Sequence, residues 1–130
     1  MVVVLNGKEL SKNIKNKLKD KLLNYQDKPG LAIILVGDRS DSEIYVRMKK
    51  KACEFVGINN YDFYYDNKTD QQTILNKINE LNNDDNIHGI LVQLPLPNHL
   101  DKDIILNSIK IEKDIDGFHE SNVGKLTLNK

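Results

Sequence analysis

The run LAIILVG, residues 31–37, is the segment that decides the fold. Six apolar residues in succession, closed by a glycine, are typical of a strand that is covered on both faces. A strand with one face in water would instead alternate apolar and polar residues, as antiparallel strands commonly do. The run therefore predicts a buried strand of a parallel sheet.

Helical and strand-like segments alternate on both sides of this run. Before it, a helix is predicted from the spacing of Leu10, Ile14, Leu18, Leu22 and Tyr25, with Pro29-Gly30 as its stop. After it, NNYDFYYD (59–66) and IHGILVQLPLP (87–97) predict two more strands, each preceded by a helical segment. This order indicates βαβ units, hence a three-layer α/β domain with a mainly parallel sheet and helices on both faces.

The helix after the first strand is predicted from SDSEIYVRMKKKACEFVG, residues 40–57. Its expected core stripe is Ile44, Met48, Ala52 and Phe55, and Gly57 is placed to end it. Two capping boxes are predicted to open helices, Ser40 with Glu43 and Thr69 with Gln72. A short helix is expected from about 101 to 110, followed by a loop that holds KDIDG (113–117) and SNVGKL (121–126).

Length and composition limit the classes of protein. The 130 residues fit one domain, 1–130, and the 19 basic and 19 acidic side chains give no global field that would attract nucleic acid or an anionic membrane. The single cysteine excludes an internal disulfide framework. No apolar run approaches the roughly 20 residues of a membrane span. We therefore expect a cytoplasmic protein without nucleic-acid or membrane partners.

Polar side chains gather where the predicted strands end, which is where parallel sheets bind ligands. Tyr45 and Lys49 stand four residues apart and share one helix face, and Gln93 and Pro95 close the third strand. Lys49 is a candidate general base, although a lysine run is more often a solvated helix face. A buried Gln93 would need hydrogen-bond partners, so a ligand contact and a structural contact are equally favoured.

The loop after the last strand holds two carboxylates, Asp114 and Asp116. An Asp-Gly turn is the favoured interpretation, and a metal site is discounted because no histidine stands at ligand spacing. His119 is as compatible with the surface as with a ligand role, and Cys53 is expected to be a packed thiol. The chain carries neither G-x-G-x-x-G nor a Walker-type phosphate loop, so no dinucleotide site is predicted.

Three long segments resemble one enzyme family. VGDRSDSEIYVRMKKKACEFVGI, GILVQLPLPNHLD and KDIDGFHESNVGKL look like the signature segments of the bifunctional methylenetetrahydrofolate dehydrogenase/cyclohydrolase family, called FolD in bacteria. They occur in the family's order across residues 36–126, and the opening MVVVLNGKELS is similar as well. Such enzymes interconvert 5,10-methylene-, 5,10-methenyl- and 10-formyltetrahydrofolate, using NADP or NAD for the oxidation and water for the ring opening.

The resemblance implies a role for each matching residue. Lys49 is similar to the family's catalytic lysine, Gln93 to the glutamine paired with it, and Tyr45 to the tyrosine that stacks on the folate. Asp116 matches the aspartate that holds the pterin, while Ser42 is a weaker candidate because capping of the helix is an alternative role for it. Pro95 joins the expected substrate-binding set through its place beside Gln93.

The chain departs from the family in length. Family members run to roughly twice this length, and their second half is the Rossmann domain that binds NADP. The resemblance therefore implies the N-terminal folate-binding and catalytic domain, from a parent that is a homodimer, with a monomer expected for this part alone. The alternative is a module that binds a folate or a partner without catalysis. A third hypothesis is nucleic-acid binding through the lysines at 49–51, which rests on one short basic run without interleaved aromatic residues.

Overall fold

A computed structural model describes residue 1 and residues 4–130; Val2 and Val3, in the opening segment, lie outside the described residues. Within the described residues, five α-helices and three strands occur, and helices and strands alternate as far as the third strand. They are α1 (Gly7–Leu22), β1 (Gly30–Val36), α2 (Ser40–Val56), β2 (Asn59–Tyr65), α3 (Gln71–Asn82), β3 (Gly89–Val92), α4 (Lys102–Asn107) and α5 (Glu120–Thr127). A 3₁₀ turn, Ile111–Lys113, lies between α4 and α5.

The three strands form one parallel sheet in the order β2-β1-β3. The run that decided the prediction is the central strand, because Ile33 pairs with Asp62 of β2 on one side and with Leu91 of β3 on the other. A central strand in a parallel sheet is hidden from water on both faces, which explains its unbroken apolar sequence. The predicted α/β class with a parallel sheet is confirmed.

Each face of the sheet packs against its own helices. On one face Ala32, Ile34 and Val36 join α3 and α4 in the larger core, whose helix residues include Ile74 and Ile105. On the other face Ile33 and Leu35 meet Val46 of α2 and Leu91 of β3. The alternation of β1 side chains thus serves two separate cores, and the predicted three layers are confirmed.

The predicted core stripe of α2 is wrong. The residues that α2 buries are Ser42, Val46, Cys53 and Val56, whereas Ile44, Met48 and Phe55 are 53%, 61% and 45% exposed. The physical reason is that α2 carries apolar residues on more than one face, and its smaller side chains face the sheet. Phe55 faces α1 instead, with Lys19 Nζ 4.9 Å from its ring centre. In the predicted α1 stripe Leu10, Ile14 and Leu18 are likewise exposed, and Leu22 is only partly buried. Tyr25 lies beyond the end of α1.

Neither predicted capping box forms. The helix α2 begins at Ser40 itself, with Arg39 as N-cap and no side-chain cap, and Asp41 Oδ1 accepts the Ser42 N–H at 2.9 Å. In α3 the N-cap is Asp70, one residue after Thr69, and its carboxylate accepts the Thr73 N–H at 3.0 Å. Aspartate is as good an N-cap as threonine, so the three-residue spacing of Thr69 and Gln72 placed the start of α3 one residue too early. Gly57 does end α2, with a left-handed φ of 91°.

The last segment also differs from the prediction. The expected helix at 101–110 is the shorter α4, Lys102–Asn107, and SNVGKL belongs to the helix α5 rather than to a loop. His119 is the N-cap of α5, because its Nδ1 accepts the Ser121 N–H at 3.1 Å. Within residue 1 and residues 4–130, no helix combines the length and apolarity of a membrane span.

Candidate active site

The candidate site lies at the carboxyl edge of the sheet. Beyond β3, the Gln93 N–H donates to Ile34 O at 2.9 Å, so the backbone at Gln93 is still held by the central strand. This contact fixes the start of the Gln93 side chain relative to β1. The edge where strands end is the expected ligand edge of a parallel sheet, and Gln93 projects from it.

Lys49 and Gln93 meet, although they are far apart in the chain. Lys49 Nζ donates to Gln93 Oε1 at 3.0 Å in a partly buried setting. The Gln93 amide is fixed from its other end, because its Nε2 donates to Leu94 O at 2.9 Å. Its oxygen is therefore turned toward the lysine. Among the described residues no carboxylate lies within 4 Å of the Lys49 ammonium, so its partner is a neutral amide.

Tyr45 precedes Lys49 by one turn on α2, and its side chain is 57% exposed. An exposed ring beside an amine offers a flat apolar surface on which an aromatic ligand can stack. Ser42 lies one turn earlier and is only 2% exposed, so the structure does not present it beside Tyr45 as open surface. Ser42 remains a predicted substrate-binding residue without a contact that assigns it that role.

Pro95 follows Gln93 after a cis Leu94-Pro95 bond and is exposed. It borders an open cleft of about 520 Å³ whose lining also includes Gly37, Arg39, Asn67 and His99. Arg39 is not a free cation there, since its guanidinium Nη2 lies 2.7 Å from Asp41 Oδ2. His99 is engaged as well, with Nε2 2.8 Å from Thr69 O.

Asp116 lies in the loop that leaves the open edge of β3 after Asp114. A parallel bridge pairs Asp114 with Ile90 of β3, and the chain then bends at Ile115 and Asp116. Ile115 packs so closely on Gly89 that a Cβ added at Gly89 would be 2.5 Å from Ile115 Cγ2. Asp116 itself is exposed, and no hydrogen bond to its carboxylate occurs within the described residues.

Asp114 organises the turn that follows it. Its carboxylate accepts the N–H groups of Phe118 and His119 and the side-chain amide of Asn122. Burial alone would raise the pKa of Asp114, but these hydrogen bonds together lower it below its ordinary value. Asn122 was not singled out from the sequence, and no local signal could have done so, because its contact depends on α5.

The side chains of Cys53 and His88 are held by packing or hydrogen bonding away from the candidate site residues. Cys53 is buried, and its pKa is raised by that burial and by the nearby Asp62 carboxylate, which makes it a poor nucleophile. His88 Nδ1 accepts the Gly30 N–H at 3.1 Å. No group of three or more potential metal ligands occurs in the part of the chain that the structure describes.

Comparisons with known proteins identify relatives of the whole chain. The family model described as tetrahydrofolate dehydrogenase/cyclohydrolase, catalytic domain, matches residues 5–116. The chloroplastic bifunctional protein FolD 4 of Arabidopsis thaliana is 44% identical over 130 residues, which are 97% of this chain and 36% of that protein. The chain thus spans well under two thirds of this relative's length.

Solved structures agree with that match. The FolD methylenetetrahydrofolate dehydrogenase/cyclohydrolase of Campylobacter jejuni superposes with a TM-score of 0.93 at 50% identity, covering 97% of this chain and 46% of that one. The Trypanosoma brucei enzyme, solved with NADP and an inhibitor, gives a TM-score of 0.91 at 37% identity over 96% of this chain and 44% of that one. Both similarities extend over nearly all of the present chain and less than half of each relative.

Proposed function

Because the chain belongs to the tetrahydrofolate dehydrogenase/cyclohydrolase family, we propose that it binds a tetrahydrofolate and supplies the acid–base groups for one-carbon interconversion. The observation that carries this proposal is the 3.0 Å hydrogen bond between Lys49 Nζ and Gln93 Oε1 at the carboxyl edge of the sheet. An amine held by an oriented amide, next to an exposed tyrosine, suits chemistry on a flat, nitrogen-rich substrate.

The proposed catalytic step is the hydrolysis of 5,10-methenyltetrahydrofolate. Lys49, as the free amine, takes a proton from water while the water oxygen bonds to the bridging carbon. The lysine then returns a proton to N5 as the bond from the carbon to N5 breaks. The adduct hydroxyl loses its proton to solvent and becomes the formyl oxygen on N10. Gln93 orients the Lys49 amine through the whole sequence.

Substrate binding is proposed for the residues around this pair. Tyr45 offers its ring for stacking, and the exposed Asp116 carboxylate can accept hydrogen bonds from the amino and ring N–H groups of a pterin. Pro95 and Ser42 remain in the proposed substrate-binding set, Pro95 as exposed surface beside Gln93 and Ser42 as part of the buried first turn of α2.

A protein of the relatives' full length is proposed to oxidise 5,10-methylenetetrahydrofolate as well, with NADP as hydride acceptor. The described residues do not fit a dinucleotide: the turn after β1 has one glycine, Gly37, and the Asn67 side chain lies 3.2 Å from where its Cβ would be. We therefore derive no step through NADP for this chain. A homodimeric full-length enzyme, a monomer for this part alone and a cytoplasmic location remain predictions.

Binding of a reduced folate tests the proposal directly. Isothermal titration with 5-formyltetrahydrofolate, a stable reduced folate, is expected to show saturable binding that Asp116→Ala weakens by about tenfold or more. The matched control is Asp103→Ala, whose side chain is 81% exposed and lies on α4. Equal affinity of the Asp116→Ala and Asp103→Ala variants would reject the proposed role of Asp116.

The alternative function is binding without catalysis. Tyr45 and Asp116 are both exposed, which is compatible with a surface that binds a folate but does not enclose it. The two functions differ in the fate of bound 5,10-methenyltetrahydrofolate. A chain that binds this compound and leaves its spontaneous rate of hydrolysis unchanged would favour the binding module.

A further inference from the structure

The loop that carries Asp116 is closed around the carboxylate of Asp114. Asp114 Oδ1 accepts the Phe118 N–H at 3.3 Å, and Oδ2 accepts the His119 N–H at 2.9 Å. A third donor, Asn122 Nδ2, reaches the same Oδ2 at 2.9 Å. These donors are the α5 N-cap residue and one residue on each side of it, so one carboxylate fixes the path of the chain between the 3₁₀ turn and α5.

Asn122 connects the loop to the turn that precedes it. Besides Asp114, its Nδ2 donates to Ile111 O at 3.1 Å, in the 3₁₀ turn. The two hydrogen bonds join residues 111 and 114 to the first turn of α5. Asn122 is therefore the side chain through which α5 holds the start of the Asp116 loop.

Asp116 lies inside this closed loop, and no hydrogen bond from the described residues holds its side chain. Its exposed carboxylate accepts no hydrogen bond from the described residues, and Gly117 follows it in the left-handed region with φ 69°. Its position is consequently set by the backbone on either side. That backbone is held by Asp114 before it and by the Phe118 and His119 N–H groups after it.

We propose that Asp114 and Asn122 are positioning residues that hold Asp116 in the position in which it binds the pterin of a reduced folate. The inference rests on the proposed function, because it assigns these two residues a role through Asp116. Asn122 lies in SNVGKL, a segment that contains none of the proposed folate-binding residues. If the two residues had a purely structural role, replacing either one would lower the stability of the chain. Any accompanying loss of ligand affinity would then be the same whether or not Asp116 is present.

A double-mutant cycle between Asn122 and Asp116 tests the inference. Affinity for 5-formyltetrahydrofolate is measured by titration calorimetry for the unchanged chain, Asn122→Ala, Asp116→Ala and the double variant, each verified as folded by circular dichroism. Asn122→Ala is expected to weaken binding about three- to tenfold. The double variant should bind no more weakly than Asp116→Ala alone, because the positioned group is already absent.

The matched control is Asn107→Ala. Asn107 Oδ1 accepts the Glu120 N–H at 2.9 Å, so it also anchors the start of α5, and among the described residues its side chain makes no hydrogen bond with Asp114 or Asn122. Asn107→Ala should retain the affinity of the unchanged chain. Should Asn122→Ala fail to fold, Asp114→Asn takes its place in the cycle, since it keeps an oxygen acceptor for the loop while losing the charge.

Two results would overturn the inference, and they are distinguishable. Independent, multiplicative losses in the double variant would show that Asn122 acts apart from Asp116, while the folate-binding role of Asp116 would stand. An Asp116→Ala variant with unchanged affinity would reject the role of Asp116 in the proposed function, and the positioning role would fall with it. Coupled losses, with Asn107→Ala unchanged, are the result that supports the inference.

Discussion

Lys49 Nζ lies 3.0 Å from Gln93 Oε1, although 44 residues separate the two in sequence. The contact joins α2, which covers one face of the sheet, to the end of β3 at its edge. It gives the lysine a neutral partner whose own amide is fixed by Leu94 O. An amine oriented in this way can exchange protons with a substrate without first breaking an ion pair.

Replacing Gln93 is expected to slow turnover more than it weakens binding. In Gln93→Ala the amine of Lys49 loses its orienting oxygen, and misplacement of a general base typically costs about tenfold to a hundredfold in rate. Gln72→Ala, an exposed change on α3, is the control. Steady-state hydrolysis of 5,10-methenyltetrahydrofolate gives the test, and a loss confined to KM would contradict the orienting role.

The ring of Tyr45 is expected to matter for affinity through stacking. Tyr45→Phe keeps the ring and should bind 5-formyltetrahydrofolate almost normally, whereas Tyr45→Ala should bind roughly three- to tenfold more weakly. Tyr64→Ala, at a tyrosine that is 63% exposed on β2, controls for the loss of a surface aromatic. Equal affinities for Tyr45→Ala and Tyr64→Ala would argue against stacking at Tyr45.

Gly89 is expected to be essential for the packing of the Asp116 loop. A Cβ at this position would lie 2.5 Å from Ile115 Cγ2, so Gly89→Ala forces Ile115 aside and should lower the free energy of unfolding by about 1–3 kcal/mol. Gly124→Ala is the matched contrast, because its Cβ meets nothing within 4 Å on α5. There alanine should raise the free energy by about 0.5–1 kcal/mol. Urea denaturation measures both, and equal effects would contradict the packing argument.

The depressed pKa of Asp114 predicts loss of stability in acid. Hydrogen bonds that outweigh the effect of burial lower this pKa below its ordinary value of 3.8. The ionised carboxylate therefore contributes stability above that value, and the contribution is lost as the pH falls through the lower folded-state pKa. Thermal unfolding between pH 6 and pH 3 should show a shallower decline in Asp114→Asn. Parallel curves for the two proteins would refute the link.

The strands could be predicted from the sequence because each depends on a local pattern, whereas the pairing of Lys49 with Gln93, 44 residues apart, was implied by the family resemblance. The apolar run of β1 specifies a central parallel strand, and the strand-end rule with the four-residue spacing of Tyr45 and Lys49 points to one rim. The buried face of α2 could not be predicted, because Ile44 and Val46 are both apolar and lie on different faces. The contact between Asn122 and Asp114 requires α5, which the sequence pattern assigned to a loop.

The most direct test of the proposed chemistry is the hydrolysis of 5,10-methenyltetrahydrofolate by this chain without any nicotinamide cofactor. Lys49→Met should lower kcat/KM by about a hundredfold or more, because it removes the general base. Lys51→Met, two residues later on the exposed surface of α2, should retain the rate of the unchanged chain. Equal rates for the two methionine variants would contradict the assignment of Lys49 as the acid–base group.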